Sequence, residues 1–309
     1  MDLGIIVVSY NTRQLTLECL ASVYRDLEDS RLESRLWMLD NASSDGSAAA
    51  IAQSYSQAIV IAGTENLGFA RAVNRGLELA ESLDDPPPFV LLLNPDTVVS
   101  SGALSEMLTY LRANPRVAAV GAQLLYGDGS FQHGAFHFPT LLMALFDFWT
   151  INHRLIDSSL NGRYSQKRYR SGRPFSIDHP LGAAMMVRRQ AWQQIGPLDP
   201  GYFMYCEEID WCLRAKRRGW DIYCTPLARI THYTGQSTIQ FKASMYVALW
   251  RSRYRLFEKF YSPIYRFLVR FIVRAGMRRQ ILRTRHSADI IGADKAAQMI
   301  AAYRQVMEL

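Results

Sequence analysis

Apolar residues in the first third of the chain come in short runs that stop abruptly in polar clusters. Residues 3–8 lead into Ser9-Tyr10-Asn11-Thr12, residues 36–39 into Asp40-Asn41-Ala42-Ser43-Ser44-Asp45-Gly46, and Phe89–Leu93 into Asn94-Pro95-Asp96. Short continuous runs of Val, Ile and Leu fit strands buried on both faces of a parallel sheet. Between them the period lengthens. Leu15, Cys19, Leu20 and Val23 share one helical face, and so do Phe69, Val73, Leu77 and Ala80. Thr12 or Asn11 is placed to cap the first helix, and Ser44 or Asp45 the alanine-rich helix that follows. Residues 58–61 supply a further strand, and Asp84-Asp85-Pro86-Pro87-Pro88 ends the helix that begins at Phe69. Strand and helix in alternation predict an α/β fold: a mostly parallel sheet covered on both faces.

Further along, the spacing predicts a helix over 102–112, a strand over 117–120 and a hairpin turn at Tyr126-Gly127-Asp128-Gly129. Residues 133–149 are aromatic and read as mobile, and the basic stretch 163–173 reads as a flexible loop. A strand over 182–187, short helices over 190–195 and within 203–218, and a last short strand over 221–224 complete this part. From Met245 the pattern is helical and basic. Arg266, Arg270, Arg274 and Arg278 recur every fourth residue, with Ile264, Phe267, Leu268, Phe271 and Ile272 on the opposite side. The expected division is an α/β domain over 1–240 and a basic, amphipathic helical extension over 241–309.

Charge follows that division. The net charge is +7, yet residues 241–309 hold fourteen Lys or Arg against four Asp or Glu, which leaves the first 240 residues slightly acidic. A basic groove for nucleic acid is therefore not expected in the main domain. The four cysteines show no zinc-type spacing, and no apolar run approaches the roughly 20 residues of a membrane span. With no basic region ahead of its first apolar run, the chain is expected to be cytoplasmic.

Candidate chemistry lies where the strands end. In a parallel sheet the carboxyl ends converge on one rim, which is where ligands bind, so Ser9-Tyr10-Asn11, Asp40 and Asn94-Pro95-Asp96 are brought together. Asp40 can accept the ring N–H of uracil or thymine, and an exposed Tyr10 can stack on a base. Neither a G-x-G-x-x-G after the first strand nor a P-loop is present. A metal ion is then the natural holder of a diphosphate, with Asp96 as its ligand. Cys206-Glu207-Glu208-Ile209-Asp210-Trp211 is the densest acidic cluster, at a helix start. A carboxylate there suits a general base, and the same residues also complement the helix dipole in a purely structural role. His232 follows a short β-type run and reads as either a ligand or a packed core histidine.

Taken in order, Val7-Val8-Ser9-Tyr10-Asn11, Leu39-Asp40-Asn41-Ala42-Ser43-Ser44-Asp45-Gly46-Ser47, Asn66-Leu67-Gly68-Phe69-Ala70, Leu92-Leu93-Asn94-Pro95-Asp96 and Tyr202–Arg214 with the later His232 resemble family 2 glycosyltransferases of the rhamnosyltransferase-like branch. The similarity covers roughly residues 3 to 260. It implies a GT-A fold, with a Rossmann-like sheet, and an inverting, metal-dependent transfer of a sugar, rhamnose from dTDP-rhamnose, from a nucleotide-diphospho-sugar to a glycan or lipid-linked saccharide. On that resemblance Ser9, Tyr10, Asn11 and Asp40 border the nucleotide, while Asn66, Gly68, Asn74 and Asn94 contact the nucleotide-sugar. Asp96 and His232 hold Mg²⁺ or Mn²⁺, Glu208 takes the acceptor proton, and Glu207 and Asp210 orient the acceptor or the base. One departure is Asn94, where many relatives carry a second acidic residue. The alternatives are a UDP-sugar donor or a non-catalytic nucleotide-sugar binder on the same fold. The basic extension is expected either to lie on an anionic membrane surface, making the protein peripheral on its cytoplasmic face, or to pack on the catalytic domain.

Overall fold

The structure, a computed structural model, describes residues 1–149, 153–233 and 242–309. Thr150, Ile151, Thr234, Gly235 and the expected junction at 240/241 lie outside them. The chain divides into two compact units, one of Met1–His137, Gln166–Phe203 and Glu207–Ser237, the other of Phe138–Ser165, Met204–Cys206 and Thr238–Leu309.

The first unit is built on a ten-stranded sheet. Its strands are β1 (Leu3–Ser9), β2 (Ser34–Asp40), β3 (Ile59–Ala62), β4 (Phe89–Leu93), β5 (Thr97–Val99), β6 (Val117–Leu125), β7 (Phe131–Gln132), then, after β8 (Ala135–Phe136), β9 (Phe175–Ser176), and, after β10 (His179–Pro180), β11 (Ala184–Arg188) and β12 (Asp221–His232). β8 and β10 pair only with each other. The main path runs β3-β2-β1-β4-β11-β6-β12-β5. β1, β2, β3 and β4 are parallel, as their unbroken apolar runs require. β11 enters antiparallel between β4 and β6, and β12 returns parallel to β6.

Helices cover both faces. Alternate strand residues Leu3, Ile5, Val7, Leu36, Met38, Leu91 and Leu93 share one core with α1 (Arg13–Ser30) and α4 (Ala103–Ala113). The opposite face carries Ile6, whose side chain lies directly under Gly76 of α3 (Phe69–Glu81), and Val90, Leu92 and Val187, which meet Leu77 and Trp192 of α8 (Arg189–Ile195). Between α1 and α3, α2 spans Ser47–Ser54.

Two expectations change. The basic stretch 163–173 contains a helix rather than only loop, because Tyr169 is buried edge-on against Phe131 and Phe175 and anchors it. The last strand is not short: β12 continues to His232. Pro226 would break a regular ladder, and the register against β6 slips between Thr225 and Arg229, so a bulge absorbs it. That continuation carries His232 into the sheet.

The second unit is helical, with α5 (Leu141–Phe146) and α6 (His153–Ile156) preceding α7 (Gln166–Arg170) and α9 (Glu207–Arg217) of the first unit, and α10 (Lys242–Phe260), α11 (Pro263–His286), α12 (Ala288–Ile291) and α13 (Ala293–Glu308) closing the chain. Phe148, Trp250, Tyr254, Phe257, Val269, Val273, Met277, Ala302 and Val306 form its core. Ser262 caps α11 and Pro263 occupies its first turn.

Candidate active site

Parallel register aligns the rim. Ser9 pairs with Asp40 across β1 and β2, and Val7 pairs with Leu93, so Asn94-Pro95-Asp96 leaves β4 level with Ser9. The loops above are laced together. Asn11, at φ +52°, receives Ser44 N–H on its side-chain oxygen at 2.8 Å and donates its own N–H to Ser43 Oγ at 2.8 Å. Asp40 Oδ2 accepts Ser43 N–H at 2.9 Å, while its buried Oδ1 has no hydrogen-bond partner among the described residues. An orphaned carboxylate oxygen at a sheet rim is a ready acceptor for a ligand N–H. Tyr10 beside it is partly exposed. Ser9 is fully buried, with its hydroxyl shared between Thr12 (3.0 Å) and Thr16 (3.1 Å). The start of α1, expected to be capped by Thr12 or Asn11, is instead held across the loop by Asp45, whose Oδ2 accepts Arg13 N–H at 2.9 Å, while Oδ1 accepts the N–H of Ser47, the first residue of α2, at 3.0 Å. Burial pushes the Asp45 carboxyl up, but the Ser47 hydroxyl, which also donates to Oδ1, and these two N–H groups outweigh it and hold the carboxyl below its usual range.

Asp96 and His232, far apart in the chain, meet. β5 pairs antiparallel with β12, matching Thr97 to His232, and Tyr233 N–H donates to the Asp96 carbonyl at 2.9 Å. The side chains follow: His232 Nε2 stands 3.5 Å from Asp96 Oδ1, with both residues buried. On the other ring nitrogen, Gln132 Nε2 lies 3.3 Å from His232 Nδ1. Gln132 reaches it across β6, whose Leu124 pairs with Gln132 on one side and Ile230 on the other. A carboxylate and an imidazole this close fit a divalent cation that completes its shell with ligand oxygens, with the Gln132 amide turned so that its oxygen accepts Nδ1–H and the Nε2 lone pair is left to the ion. No group of three or more metal-ligating side chains occurs among the described residues.

The acidic cluster opens α9. Its three carboxylates differ sharply. Asp210 is fully buried and paired: Arg214 Nε donates to Oδ1 at 2.7 Å and the Tyr202 hydroxyl to Oδ2 at 3.2 Å. Arg214 continues to the Ile195 and Pro197 carbonyls, fixing the helix to the preceding loop. Glu207 is buried with Oε2 unbonded, and burial together with the neighbouring Glu208 charge pushes it well above the carboxylate range. Glu208 is partly exposed, and burial of its carboxyl pushes it up to about 7. A carboxyl titrating there is suited to accept a proton at neutral pH. Gly182 lies beside it, and a side-chain carbon there would make ordinary contact with the Glu208 carboxyl carbon at 3.6 Å. Ala183 beside it accepts Asn94 N–H at 2.9 Å. Glu208 therefore stands against the segment hydrogen-bonded to the end of β4.

α3 ties the rim to α9. Gly68, at φ +78°, accepts Asn41 Nδ2–H on its carbonyl at 3.1 Å and donates its N–H to Asn66 Oδ1 at 2.9 Å. A Cβ at Gly68 would collide with the Phe203 carbonyl oxygen, and Phe69 N–H donates to that oxygen at 2.7 Å. Asn74 grips Leu198 at both ends of its amide, donating to the carbonyl at 2.8 Å and accepting from the N–H at 3.0 Å. The roles visible for Gly68 and Asn74 are thus to hold the loop that leads to α9. Sequence reasoning did not single out Gln132, Gly182 or Arg214. Gln132 follows the hairpin turn that the sequence does show, and counting out from that turn would have placed it beside the last strand.

Similarity to known proteins bears on the fold and the family. The fold matches the mannosyltransferase PcManGT from Pyrobaculum calidifontis, solved in complex with GDP-Man and Mn²⁺, with a TM-score of 0.58 at 14% identity over 99% of this chain and 85% of that one. This is a GT-A glycosyltransferase fold. The model of "Glycosyl transferase family 2" matches residues 4–196, and the chain belongs to that family. It is 30% identical over 287 residues, 89% of this chain and 90% of the relative, to an N-acetylglucosaminyl-diphospho-decaprenol L-rhamnosyltransferase of Mycobacterium tuberculosis. It is also 28% identical over 150 residues to the rhamnosyltransferase WbbL of Escherichia coli, covering 47% of this chain and 52% of that protein.

Proposed function

We propose that this glycosyltransferase moves rhamnose, with inversion, from a nucleotide-diphospho-rhamnose of the dTDP type to a hydroxyl of a saccharide linked through diphosphate to a membrane lipid. It would work as a peripheral protein at the cytoplasmic membrane face. The donor and acceptor classes are supported by the name of the relative aligned along nearly the whole chain. The observation that carries the reading is the meeting of Asp96 and His232 on the rim that holds Asp40.

On this reading Asp40 accepts the base N–H through its unbonded Oδ1, and Tyr10 lies beside the base. Asn11, Asn66 and Asn94 sit on the surrounding loops, and Ser9 shapes the first of them from beneath. Asp96 and His232 hold Mn²⁺ or Mg²⁺, with the mixed oxygen and nitrogen ligands favouring Mn²⁺. When bound, such an ion neutralises charge on the departing diphosphate. Glu208 takes the proton of the acceptor hydroxyl as its oxygen bonds to the anomeric carbon. The bond from that carbon to the diphosphate oxygen breaks, and its electron pair leaves with the nucleotide diphosphate. Glu207 stays protonated beside Glu208, so that only one of the two neighbouring carboxyls ionises, and Asp210 anchors the helix that carries both.

The test is thermal shift with dTDP, UDP and GDP, each with and without Mn²⁺, followed by transfer from dTDP-rhamnose to an N-acetylglucosaminyl-diphospho-polyprenol. The expected result is stabilisation by dTDP that requires the metal, and a rhamnosylated lipid product. Stabilisation by UDP alone would reassign the donor. No stabilisation by any nucleotide under any metal condition would overturn the reading.

A further inference from the structure

α11 has two apolar faces, and only one is covered. Val269, Val273, Gly276 and Met277 are buried in the core of the helical unit, where Gly276 lies so close to the Phe148 ring that a side chain there would overlap it. On the opposite side Ile264 is 73% exposed, Phe267 72% and Phe271 69%, with Leu268 at 39%. These four stand at i, i+3, i+4 and i+7, one continuous stripe on the helix. The line continues through Arg274 and Arg278 to Leu282, which is 65% exposed, and Arg285. The sequence predicted an apolar face opposite an arginine face. The structure differs: Arg270 is drawn inward to Glu258 (3.1 Å) and over the Tyr254 ring, Arg274 donates to the Met307 carbonyl at 3.3 Å, and Arg278 joins the apolar stripe on the outside.

Scattered apolar side chains on a surface need no explanation, but a contiguous row of large ones marks a binding surface. Charge decides what binds. α11 carries seven arginines and no acidic residue in its 24 residues. A second copy is a poor occupant. Parallel pairing of two such stripes opposes arginine to arginine, and antiparallel pairing buries arginine against Phe and Ile with no carboxylate to meet it. A surface with an apolar layer beneath an anionic one satisfies both halves at once. The helix, about 36 Å long at 1.5 Å per residue, would lie in the plane of such a layer. Among the described residues no helix is long and apolar enough to cross a membrane.

We infer that the outer face of α11 is a membrane-docking surface, with Ile264, Phe267, Leu268 and Phe271 inserted among the acyl chains and Arg278 and Arg285 against anionic phospholipid headgroups. The inference rests on the proposed lipid-linked acceptor for its purpose, though not for the surface itself.

The test is co-sedimentation of the full chain with vesicles of phosphatidylcholine alone and of phosphatidylcholine mixed with phosphatidylglycerol, at low and high salt. The wild type is expected to bind the mixed vesicles and to weaken as salt rises. Phe267→Ser/Phe271→Ser should lose at least about tenfold in partitioning, and Arg278→Gln/Arg285→Gln roughly thirtyfold on anionic vesicles. Because these side chains point outward, melting temperature and circular dichroism should not move. Wild-type vesicle binding by the folded phenylalanine variant would overturn the inference. So would a wild-type dimer in analytical ultracentrifugation that this variant converts to monomer. Nucleotide thermal shift on the same preparations separates the two readings: docking lost with nucleotide response kept removes only the docking surface, and the reverse removes only the donor assignment.

Discussion

Replacing Glu208 with Gln should destroy transfer and, above neutral pH, make the protein more stable. The two effects share one cause. Burial raises the Glu208 carboxyl from 4.5 to about 7. A group whose folded value lies above its unfolded value binds more protons in the folded state between the two. Its contribution to stability is therefore complete below about pH 4.5 and is lost as pH rises through 7. Above pH 7 the enzyme holds an ionised carboxylate in a poorly solvated position, at a cost on the order of 2–3 kcal/mol. Gln removes the charge and keeps the shape. Thermal melts of wild type and Glu208→Gln, without donor or metal, should coincide near pH 4.5 and separate by several degrees at pH 8, with the variant higher. Turnover should follow the ionised fraction. Wild-type activity should rise with pH and level off above about 7, falling about tenfold for each pH unit below. The variant should lose roughly 10²- to 10⁴-fold in turnover while its nucleotide-induced shift is unchanged. A variant with normal turnover, or one that melts lower than wild type at pH 8, would refute the assignment.

Three further outcomes test the rest of the site. Asp96→Asn and His232→Ala should each abolish the Mn²⁺-dependent part of nucleotide binding by calorimetry and leave the metal-independent part; equal metal dependence in either variant would remove that residue from the ligand pair. Gln132→Leu, which leaves His232 Nδ1 without its partner at 3.3 Å, should weaken Mn²⁺ about 10- to 100-fold, with Gln132→Glu restoring much of it; equal affinities in Leu and Glu variants would reduce Gln132 to packing. Gly68→Ala, with φ +78° and the Phe203 carbonyl in the way, should cost on the order of 2–4 kcal/mol in denaturant melts; an undisturbed midpoint would mean that the loop before α9 moves aside freely.

Local chemistry explains what the sequence showed plainly. Phe89–Leu93 is a strand with those very limits because Pro95 cannot donate to a ladder, and Phe69–Glu81 is a helix because its apolar residues recur at helical spacing. The convergence of Ser9, Asp40 and Asp96 followed from parallel strands having their carboxyl ends on one rim. What the sequence hid depends on partners distant in the chain. Nothing near Pro226 announces that a bulge lets β12 run on to His232. The aromatic contacts that hold Gln166–Arg170 in a helix come from Phe131 and Phe175. Spacing marked one apolar stripe on α11, at Ile264, Phe267, Leu268, Phe271 and Ile272, whereas its neighbours cover the stripe of Val269, Val273 and Met277, which is no more apolar.

The start of α9 breaks local rules in several ways at once, and the breaches point in one direction. Tyr205 and Cys206, the two residues before it, both take left-handed backbone conformations, φ +71° and +68°, which cost non-glycine residues on the order of 1–3 kcal/mol each. Two adjacent carboxyls follow, each with an oxygen that is buried and unbonded. Helix-dipole complementarity would be served as well by exposed acids, so it does not explain burying Glu207 or raising Glu208 to about 7. The surroundings are arranged to hold this position against its cost. Asp210 takes Arg214 and Tyr202, Arg214 takes the carbonyls of Ile195 and Pro197, and Phe203 is held by the backbone of α3. Asp210, the fully paired member of the three, makes the helix rigid so that its unpaired neighbours can stay unpaired. Local conflict backed by a stiff frame is the signature of a site kept for chemistry, and here it singles out Glu208, the one carboxyl of the cluster that is both partly exposed and poised near neutral pH.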